Sequence, residues 1–193
     1  MAGKENSVYV TMGSSKNSSY ERAKHDFYAT QPKALELFPL LSELVDVWEC
    51  AVGQGHLAKV LKKNKKLARV SDIIDRGYPN TEILDFLEFN GRWHGDILTN
   101  PPFKLSNQFL EKSMSIIQDG RKVCMFLPIR YLEGKARRRL FELYVPKIIY
   151  VSSGRLGCAK NGDFENYNPR AIAFAWFVWE KGFKGSTELT WFN

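Results

Sequence analysis

The sequence predicts an α/β fold in which helices cover both faces of a mostly parallel β-sheet. Apolar runs of strand length alternate along the chain with segments whose apolar residues recur at helical spacing. Strands that alternate with helices form parallel sheets. A chain of 193 residues that is 44% hydrophobic suits one domain with a sizeable core, which needs neither disulfides nor metals.

The predicted elements follow one another from Pro32, which suits a first helical turn because that position needs no N–H donor. Apolar residues at helical spacing predict helices that begin near Pro32 and Leu57, and further helices over residues 109–117 and about 134–143. Short apolar runs predict strands at 45–50, 68–74, 83–87, 96–99, 123–127, 147–151 and 171–179, with a short terminal strand at 188–192. Parallel sheets bind ligands at the carboxyl ends of their strands, so the loops that follow these strands are the candidate sites.

The chain is basic, with a formal charge of +7 and a pI near 9.3, which suits a partner that carries phosphate. Its three cysteines, Cys50, Cys124 and Cys158, form no CxxC pair and are interpreted as reduced thiols of a cytoplasmic protein. No stretch approaches the roughly 18 apolar residues of a spanning helix. Residues 1–24, rich in Ser, Asn, Lys and Gly, are expected to form a flexible arm ahead of a single catalytic domain over 25–193.

The first candidate site is the glycine-containing turn in WECAVGQGHL, residues 48–57. The first predicted strand delivers Glu49 into a turn where Gly53 and Gly55 allow the backbone to approach a ligand closely. The turn lacks the phosphate-binding GxGxxG and GK[ST] patterns. A carboxylate beside the glycines instead suits a cation, such as the sulfonium and ammonium groups of S-adenosylmethionine. Taken alone, the segment fits an ordinary strand-to-helix turn equally well.

Acidic residues also follow the second and third predicted strands. Asp72 or Asp75 could accept hydrogen bonds from ribose hydroxyls, as acidic residues do in nucleotide-binding sheets, and Asp72 fits the strand end better. Asp85 and Phe86 could flank the adenine ring of a cofactor. For Asp72 or Asp75 taken singly, a solvated loop acid is the better interpretation, and the assignment of Asp85 and Phe86 depends on the neighbouring motifs.

The most specific segment is DILTNPPF, residues 96–103, which follows the fourth predicted strand. Two consecutive prolines fix the backbone and remove two N–H donors, which leaves their carbonyls free as acceptors. Acceptors from the Asn100 side chain and the Pro101 backbone would hold both hydrogens of an aromatic amine, whose lone pair is otherwise delocalised into its ring. Phe103 would stack on the base, an interaction worth roughly 1–3 kcal/mol. The segment therefore predicts methylation of an exocyclic amine.

The chain resembles the amino-methyltransferases that carry an N/D-PP-Y/F motif, in particular the small adenine-specific DNA methyltransferases of bacteriophages and prophages. The similarity runs from about Asp26 to Trp179 and includes HDFYATQPKAL, the glycine turn and NPPF. It implies a Rossmann-like class I methyltransferase fold, with a seven-stranded sheet whose last long strand is antiparallel. It also implies a bacterial host cell and S-adenosylmethionine as cofactor.

By position, the resemblance assigns cofactor contacts to Phe27, Tyr28, Thr30, Glu49, Gly53, Gly55, Asp72, Asp85 and Phe86. It assigns catalysis to Asn100, Pro101, Pro102 and Phe103. The sequence departs from the family at His56, where a small or polar residue is more usual. No separate target-recognition region is visible in the sequence, which predicts low sequence specificity.

A basic cluster follows the fifth predicted strand, at the same edge of the sheet as NPPF, and is predicted to contact nucleic-acid phosphates. Its members are Arg130, Lys135, Arg137, Arg138 and Arg139. The lysines between Lys59 and Lys66 lie on a helix that leads away from this edge and are interpreted as a solvated face. Residues 154–170 are expected to form a long functional loop, in which Phe164 rather than Tyr167 faces the target base.

The sequence therefore predicts methylation of the N6 amino group of adenine in DNA. RNA is the nearest alternative, because the same four residues would serve adenines in structured RNA. A protein glutamine side chain has an equally delocalised amide nitrogen, but the basic edge argues against it. A binding module that keeps the fold without activity is a further alternative, against which the intact Asn100–Phe103 segment argues.

Overall fold

A computed structural model describes residues 27–165 and 172–193 of the chain. The strands are β1 (Tyr28–Thr30), β2 (Val47–Glu49), β3 (Leu67–Asp72), β4 (Glu82–Ile83), β5 (Ile97–Thr99), β6 (Lys122–Pro128), β7 (Ile148–Ser152), β8 (Cys158–Lys160), β9 (Phe174–Glu180) and β10 (Glu188–Phe192). The helices are α1 (Pro32–Glu36), α2 (His56–Lys63), α3 (Ser106–Ile116) and α4 (Lys135–Leu143). Short 3₁₀ turns lie at Leu41–Glu43, Phe86–Glu88, Phe103–Leu105 and Ile129–Leu132.

Eight strands form the main sheet in the order β10-β7-β9-β6-β5-β2-β3-β4. All neighbours pair in parallel except at β9, which is antiparallel to both β6 and β7. Seven strands therefore run in one direction, and their carboxyl ends meet at one edge of the sheet. This architecture confirms the predicted mostly parallel sheet with an antiparallel last long strand.

Helices cover both faces of the sheet, as the sequence predicts. Cys124 and Phe126 of β6 pack on the side of α1 and α2, whereas Val123, Met125 and Leu127 pack on the side of α3 and α4. Successive strand residues point to opposite faces, so a central strand that is buried on both sides reads as a continuous apolar run. This burial explains why the run at 123–127 was visible in the sequence.

Three expectations about the strands need correction. The sheet has eight strands rather than seven, because the terminal segment Glu188–Phe192 pairs in parallel with β7. The predicted strand at 83–87 is a two-residue strand, Glu82–Ile83, followed by a 3₁₀ turn. The strand ends there because the Asp85 side chain caps the turn by accepting a hydrogen bond from the Leu87 N–H at 2.9 Å. Residues 154–170 are not one irregular loop, because β8 lies within them.

Strands β1 and β8 form a separate two-stranded antiparallel ribbon, which the sequence reading did not predict. The ribbon pairs Tyr28 with Lys160 and Thr30 with Cys158. It brings a segment that precedes the main sheet against one that follows β7. Both strands are three residues long, too short for a periodic pattern to stand out.

The amino ends of the central strands are fastened by Asp96, which is 1% exposed. Its two carboxylate oxygens accept hydrogen bonds from the backbone N–H groups of Val45 and Lys122, each at 2.8 Å. One side chain thus ties the chain ahead of β2 to the start of β6. Nothing in the sequence reading assigned this residue a role.

The three cysteines are buried free thiols, as the sequence predicts, and the cytoplasmic location stays a prediction. Over residues 27–165 and 172–193, no helix has the length and apolar character that a membrane span requires. The predicted arm at 1–24 and the alternative base contact Tyr167 lie outside the described residues.

Candidate active site

A cleft of about 250 Å³ opens over the carboxyl ends of β2, β3, β4 and β5. Loops that follow neighbouring parallel strands meet at one edge, which is why residues from distant parts of the sequence converge here. The predicted site residues that line the cleft are Phe27, Tyr28, Thr30, Glu49, Asp72, Asp85, Phe86, Asn100, Pro101, Pro102 and Phe103. The cofactor-side and catalytic segments predicted from the sequence therefore share one cavity.

Glu49, the last residue of β2, is 1% exposed although it carries a carboxyl group. Its Oε1 accepts a long hydrogen bond of 3.3 Å from the Ala51 N–H, and Oε2 is buried without a hydrogen-bond partner among the described residues. Burial raises the pKa of Glu49 to about 8, and Asp72 adds a smaller effect in the same direction. The neighbouring Thr99 hydroxyl lowers that pKa, although its oxygen does not reach hydrogen-bond geometry. A bound cation would stabilise the charged form.

The glycine turn is held in place by Asp72, at the end of β3. One Asp72 oxygen accepts a hydrogen bond from the Gly53 N–H at 2.8 Å, and the other accepts one from the Ile74 N–H at 3.1 Å. This carboxylate therefore clamps the turn onto the sheet. Asp72 also lines the cleft, and each of its oxygens can accept a further hydrogen bond.

Gly53 and Gly55 do not themselves line the cleft. Both have positive φ, and a Cβ atom would overlap the Phe27 ring at Gly53 and the Tyr78 ring at Gly55. The glycines are thus required by backbone conformation and by two aromatic rings that pack on them. Their predicted contact with a cofactor stays a prediction.

Asp85 and Phe86 have different structural roles in the cleft wall. Asp85 caps the 3₁₀ turn through its side chain. Phe86 is 2% exposed and packs edge-on against Trp48, with Phe109 on another side. The wall at this position is therefore rigid and apolar.

Asn100 directly follows β5 and has an anchored side chain. Its Nδ2 donates a hydrogen bond to the Tyr28 carbonyl at 2.8 Å and a longer one to Cys158 Sγ at 3.5 Å. Its Oδ1 is buried and has no hydrogen-bond partner among the described residues. The amide nitrogen is thus already hydrogen-bonded, whereas the amide oxygen is an acceptor without a partner among the described residues.

The two prolines after Asn100 differ in the use of their carbonyls. The Pro102 carbonyl accepts hydrogen bonds from the Leu105 N–H at 2.8 Å and from Ser106 Oγ at 3.4 Å, which corrects the expectation that both carbonyls are free. In the described part of the chain, no hydrogen bond reaches the Pro101 carbonyl. Asn100 Oδ1 and the Pro101 carbonyl are therefore two adjacent acceptors.

Phe103 lies between the cleft and a second groove. Its ring stacks on Tyr28, with centroids 5.7 Å apart, and is tilted against Phe174 at 6.0 Å. The groove on its other side has a volume of about 320 Å³. It is lined by Phe103, Lys104, Ser106, Asn107, Pro128, Arg130, Tyr131 and Arg137.

The predicted basic cluster separates into groove residues and outer residues. Arg130 is exposed at the groove. Arg137 also lines it but donates hydrogen bonds to the carbonyls of Arg130 and Glu133, at 3.0 and 2.7 Å. Arg138 pairs with Glu142 at 3.0 Å on the exposed face of α4. The remaining members, Lys135 and Arg139, lie on α4 outside the groove lining.

Phe164 lies outside the main cleft, on its rim. Its ring packs edge-on against His56, with centroids 5.2 Å apart, and His56 lines the cleft. Burial lowers the pKa of His56, and the nearby Lys59 lowers it further. Phe164 also borders a polar groove with Lys33 and Arg155. Its predicted contact with a target base stays a prediction.

Several residues that line the cleft were not named as site residues from the sequence, and most of them are apolar. They are Cys50, Ala51, Val52, Ile73, Ile74, Arg76, Leu84, Leu87, Leu105 and Phe109. Ile73 is 62% exposed directly after Asp72, an unusual place for a large apolar side chain. An apolar residue beside a strand-end acid was the signal that could have revealed it.

No model of a protein family and no curated protein matches the chain by sequence. Among solved structures, the chain is similar to a Listeria monocytogenes protein assigned to the class I S-adenosylmethionine-dependent methyltransferases, with a TM-score of 0.54 and 12% identity over 76% of this chain and 58% of that one. A predicted O-methyltransferase of Agrobacterium tumefaciens gives a TM-score of 0.54 and 13% identity, over 79% of this chain and 83% of that one. The type IIG restriction endonuclease BpuSI gives a TM-score of 0.50 and 14% identity, over 78% of this chain and 24% of that one.

The chain thus spans less than two thirds of the length of the Listeria structure. At 12 to 14% identity, these similarities establish the architecture alone. The substrate is inferred from the side chains that line the cleft. The chain has the Rossmann-like fold of class I S-adenosylmethionine-dependent methyltransferases.

Proposed function

We propose that the chain is an S-adenosylmethionine-dependent methyltransferase that methylates the N6 amino group of adenine in DNA, with low sequence specificity. The observation that carries this proposal is the state of the Asn100 amide. Its donor end is bound to the Tyr28 carbonyl at 2.8 Å, and its buried acceptor end has no partner among the described residues. An amide held in this way suits a ligand that donates hydrogen bonds.

The cofactor half of the proposal rests on Glu49. The ionised form of a carboxyl group that is buried beside an apolar wall is unfavourable unless a cation compensates its charge. S-adenosylmethionine carries two positive groups and, when bound, supplies an electrophilic methyl group. Glu49 would hold a cationic group, Asp72 the ribose hydroxyls, and Asp85 with Phe86 and Ile73 the adenine ring.

The substrate half rests on the two adjacent acceptors. The Asn100 Oδ1 and the Pro101 carbonyl would accept the two hydrogens of an exocyclic amine. These hydrogen bonds favour a pyramidal nitrogen and withdraw its lone pair from conjugation with the ring, which makes the nitrogen nucleophilic. No strong general base is required, because the proton is lost as or after the nitrogen becomes cationic.

Nucleic acid is favoured over protein by the groove beside Phe103. Lys104 and Arg130 are exposed cations on this groove, and Phe103 joins it to the cleft. A nucleotide that enters through the groove would place its phosphates near these cations and its base near the Phe103 ring. Low specificity is proposed because, within the described residues, no separate recognition module is inserted between the strands.

The experiment that tests this proposal is incubation of the protein with tritium-labelled S-adenosylmethionine and duplex DNA, ribosomal RNA or a protein extract in parallel. We expect label in DNA, and N6-methyladenine after digestion to nucleosides. Label confined to RNA would move the proposal to the RNA alternative. Label confined to protein, or none despite measured cofactor binding, would contradict it.

A further inference from the structure

The β1–β8 ribbon lies directly against the Asn100 side chain. Tyr28 of β1 provides a backbone carbonyl and Cys158 of β8 provides a thiol, and both accept from Asn100 Nδ2, at 2.8 and 3.5 Å. In the ribbon, Cys158 is the register partner of Thr30, and its Sγ lies 3.7 Å from the Thr30 hydroxyl. The ribbon thus offers a small polar network that contains the amide.

Cys158 is neutral in this network. The residue is 6% exposed, and burial raises the pKa of its thiol to about 12. A neutral thiol is a weak acceptor and a weak donor at the same time. Its sulfur therefore accepts from Asn100 while its hydrogen can point to the Thr30 hydroxyl.

This network determines which way the amide faces. If the amide were rotated by half a turn, Oδ1 would face the Tyr28 carbonyl oxygen, acceptor against acceptor, and the Cys158 thiol could satisfy Oδ1 only by turning its hydrogen away from the Thr30 hydroxyl. Such an arrangement leaves a buried donor and acceptor unsatisfied, at a cost of about 1–3 kcal/mol each. The orientation with Oδ1 available is therefore the stable one.

We propose that Cys158 is a positioning residue, which together with the Tyr28 carbonyl holds the Asn100 amide in the orientation that accepts the substrate amine. This inference rests on the proposed function. Because the ribbon supplies acceptors to the side chain at position 100, it favours an amide, which can donate to them, over an ionised carboxylate, which cannot.

The selection predicts an unusual pH profile for Asn100→Asp. An ionised carboxylate at this position has no hydrogen to donate to the Tyr28 carbonyl, whereas a protonated carboxyl group can donate there and still accept from the substrate. We expect this variant to be nearly inactive at pH 8 and to gain rate as the pH falls. A variant that is damaged only in its packing would show no such rise.

The direct test compares Cys158→Ala, Cys158→Ser and the control Cys124→Ala by kcat, KM and the dissociation constant of S-adenosylmethionine. Cys124 is a buried thiol of β6 that does not line the cleft, so its replacement matches the loss of a buried sulfur without touching Asn100. We expect kcat to fall about three- to tenfold in Cys158→Ala, the value of one ordinary hydrogen bond, while cofactor affinity stays within about twofold. Cys158→Ser should recover most of the rate, and Cys124→Ala should keep it.

Wild-type kcat in Cys158→Ala, or an equal loss in Cys124→Ala, would overturn this inference and leave the proposed function standing. A wild-type protein that labels no nucleic acid would overturn the proposed function and this inference with it. The side-chain amide NMR signals of Asn100 provide a readout that does not depend on turnover. Slow hydrogen exchange in the wild type and faster exchange in Cys158→Ala alone support the inference, and equal exchange in the two contradicts it.

Discussion

Two carboxyl groups, each 1% exposed, lie at opposite ends of the central parallel strands. At the amino end, Asp96 receives a backbone N–H on each of its oxygens, both at 2.8 Å. At the carboxyl end, Glu49 receives one N–H at 3.3 Å on Oε1 and none on Oε2 among the described residues. Burial is the same, and the hydrogen bonding differs.

The difference separates a structural acid from a binding acid. Backbone N–H donors satisfy both oxygens of Asp96, so this side chain needs no partner from outside the protein. Glu49 has one long bond of this kind, from the Ala51 N–H, and burial raises its pKa to about 8. Asn100 lies at the same end of the sheet and shares this incompleteness, since its Oδ1 also has no partner in the described part of the chain. Three of the four buried side-chain atoms without a partner among the described residues, on Glu49, Thr99 and Asn100, thus lie at the carboxyl edge, and the fourth, Ser113 Oγ, is on α3.

The largest expected effect on activity comes from Asn100, at the carboxyl end of the parallel strands. Asn100→Ala removes the acceptor without removing a residue that fastens the sheet. We expect methyl transfer to fall by about 100- to 1,000-fold, the size found when one preorganised polar group of an active site is deleted. Cofactor affinity and the melting temperature should change little. Retained turnover would exclude Asn100 from the mechanism.

Exchanging each acid for its amide compares the two ends directly. Glu49→Gln should weaken binding of S-adenosylmethionine roughly ten- to hundredfold, the value of a hydrogen bond to a charged group, without lowering stability. Asp96→Asn should lower the free energy of unfolding by about 1–3 kcal/mol, because its NH₂ group would face a backbone N–H. Calorimetric titration and urea unfolding measure the two quantities. If both variants lost stability alike, the distinction between the acids would fail.

The order of strands and helices was largely predictable, as were the acidic residues and the Asn100–Phe103 segment of the cleft. Long apolar runs such as β6 and β9 carry their own signal, and NPPF at a strand end marks the edge where ligands bind. The β1–β8 ribbon was not predictable, because Thr30 and Cys158 are 128 residues apart and each strand is short. The protonation of Glu49 also depends on packing from several elements, which no local pattern encodes.

The pH dependence of stability is expected to differ between the wild type and a variant without the Glu49 carboxyl group. The pKa of Glu49 in the folded protein, about 8, lies above its ordinary value of 4.5, so the folded state binds the proton more tightly. Its contribution to stability is complete below pH 4.5 and is lost as the pH rises toward 8, at up to about 1.4 kcal/mol per pH unit. Urea unfolding of the wild type and Glu49→Gln across this range measures the effect. If the free energy of unfolding of Glu49→Gln changed with pH at the same slope, the effect would belong to another titrating group.

The same linkage makes cofactor binding depend on pH. A cation binds the ionised form of Glu49, so affinity for S-adenosylmethionine should rise as the pH approaches 8, with release of a proton on binding. Calorimetry in two buffers of different ionisation enthalpy detects that proton. In Glu49→Gln the release should disappear.

The smallest expected effect concerns the basic residues, where two arginines allow a charge-matched test. Arg130 is exposed at the groove beside Phe103, whereas Arg138 is paired with Glu142 on the outer face of α4. Both changes to alanine remove one positive charge, but only the first removes a cation from the proposed path of the nucleotide. Arg130→Ala should weaken DNA binding a few-fold and reduce the salt-dependence slope by about 0.9, the contribution of one phosphate contact, while Arg138→Ala should leave the slope nearly unchanged. Equal slopes in the two variants, measured by fluorescence anisotropy over a range of salt concentrations, would mean that DNA senses the net charge of the protein rather than this groove.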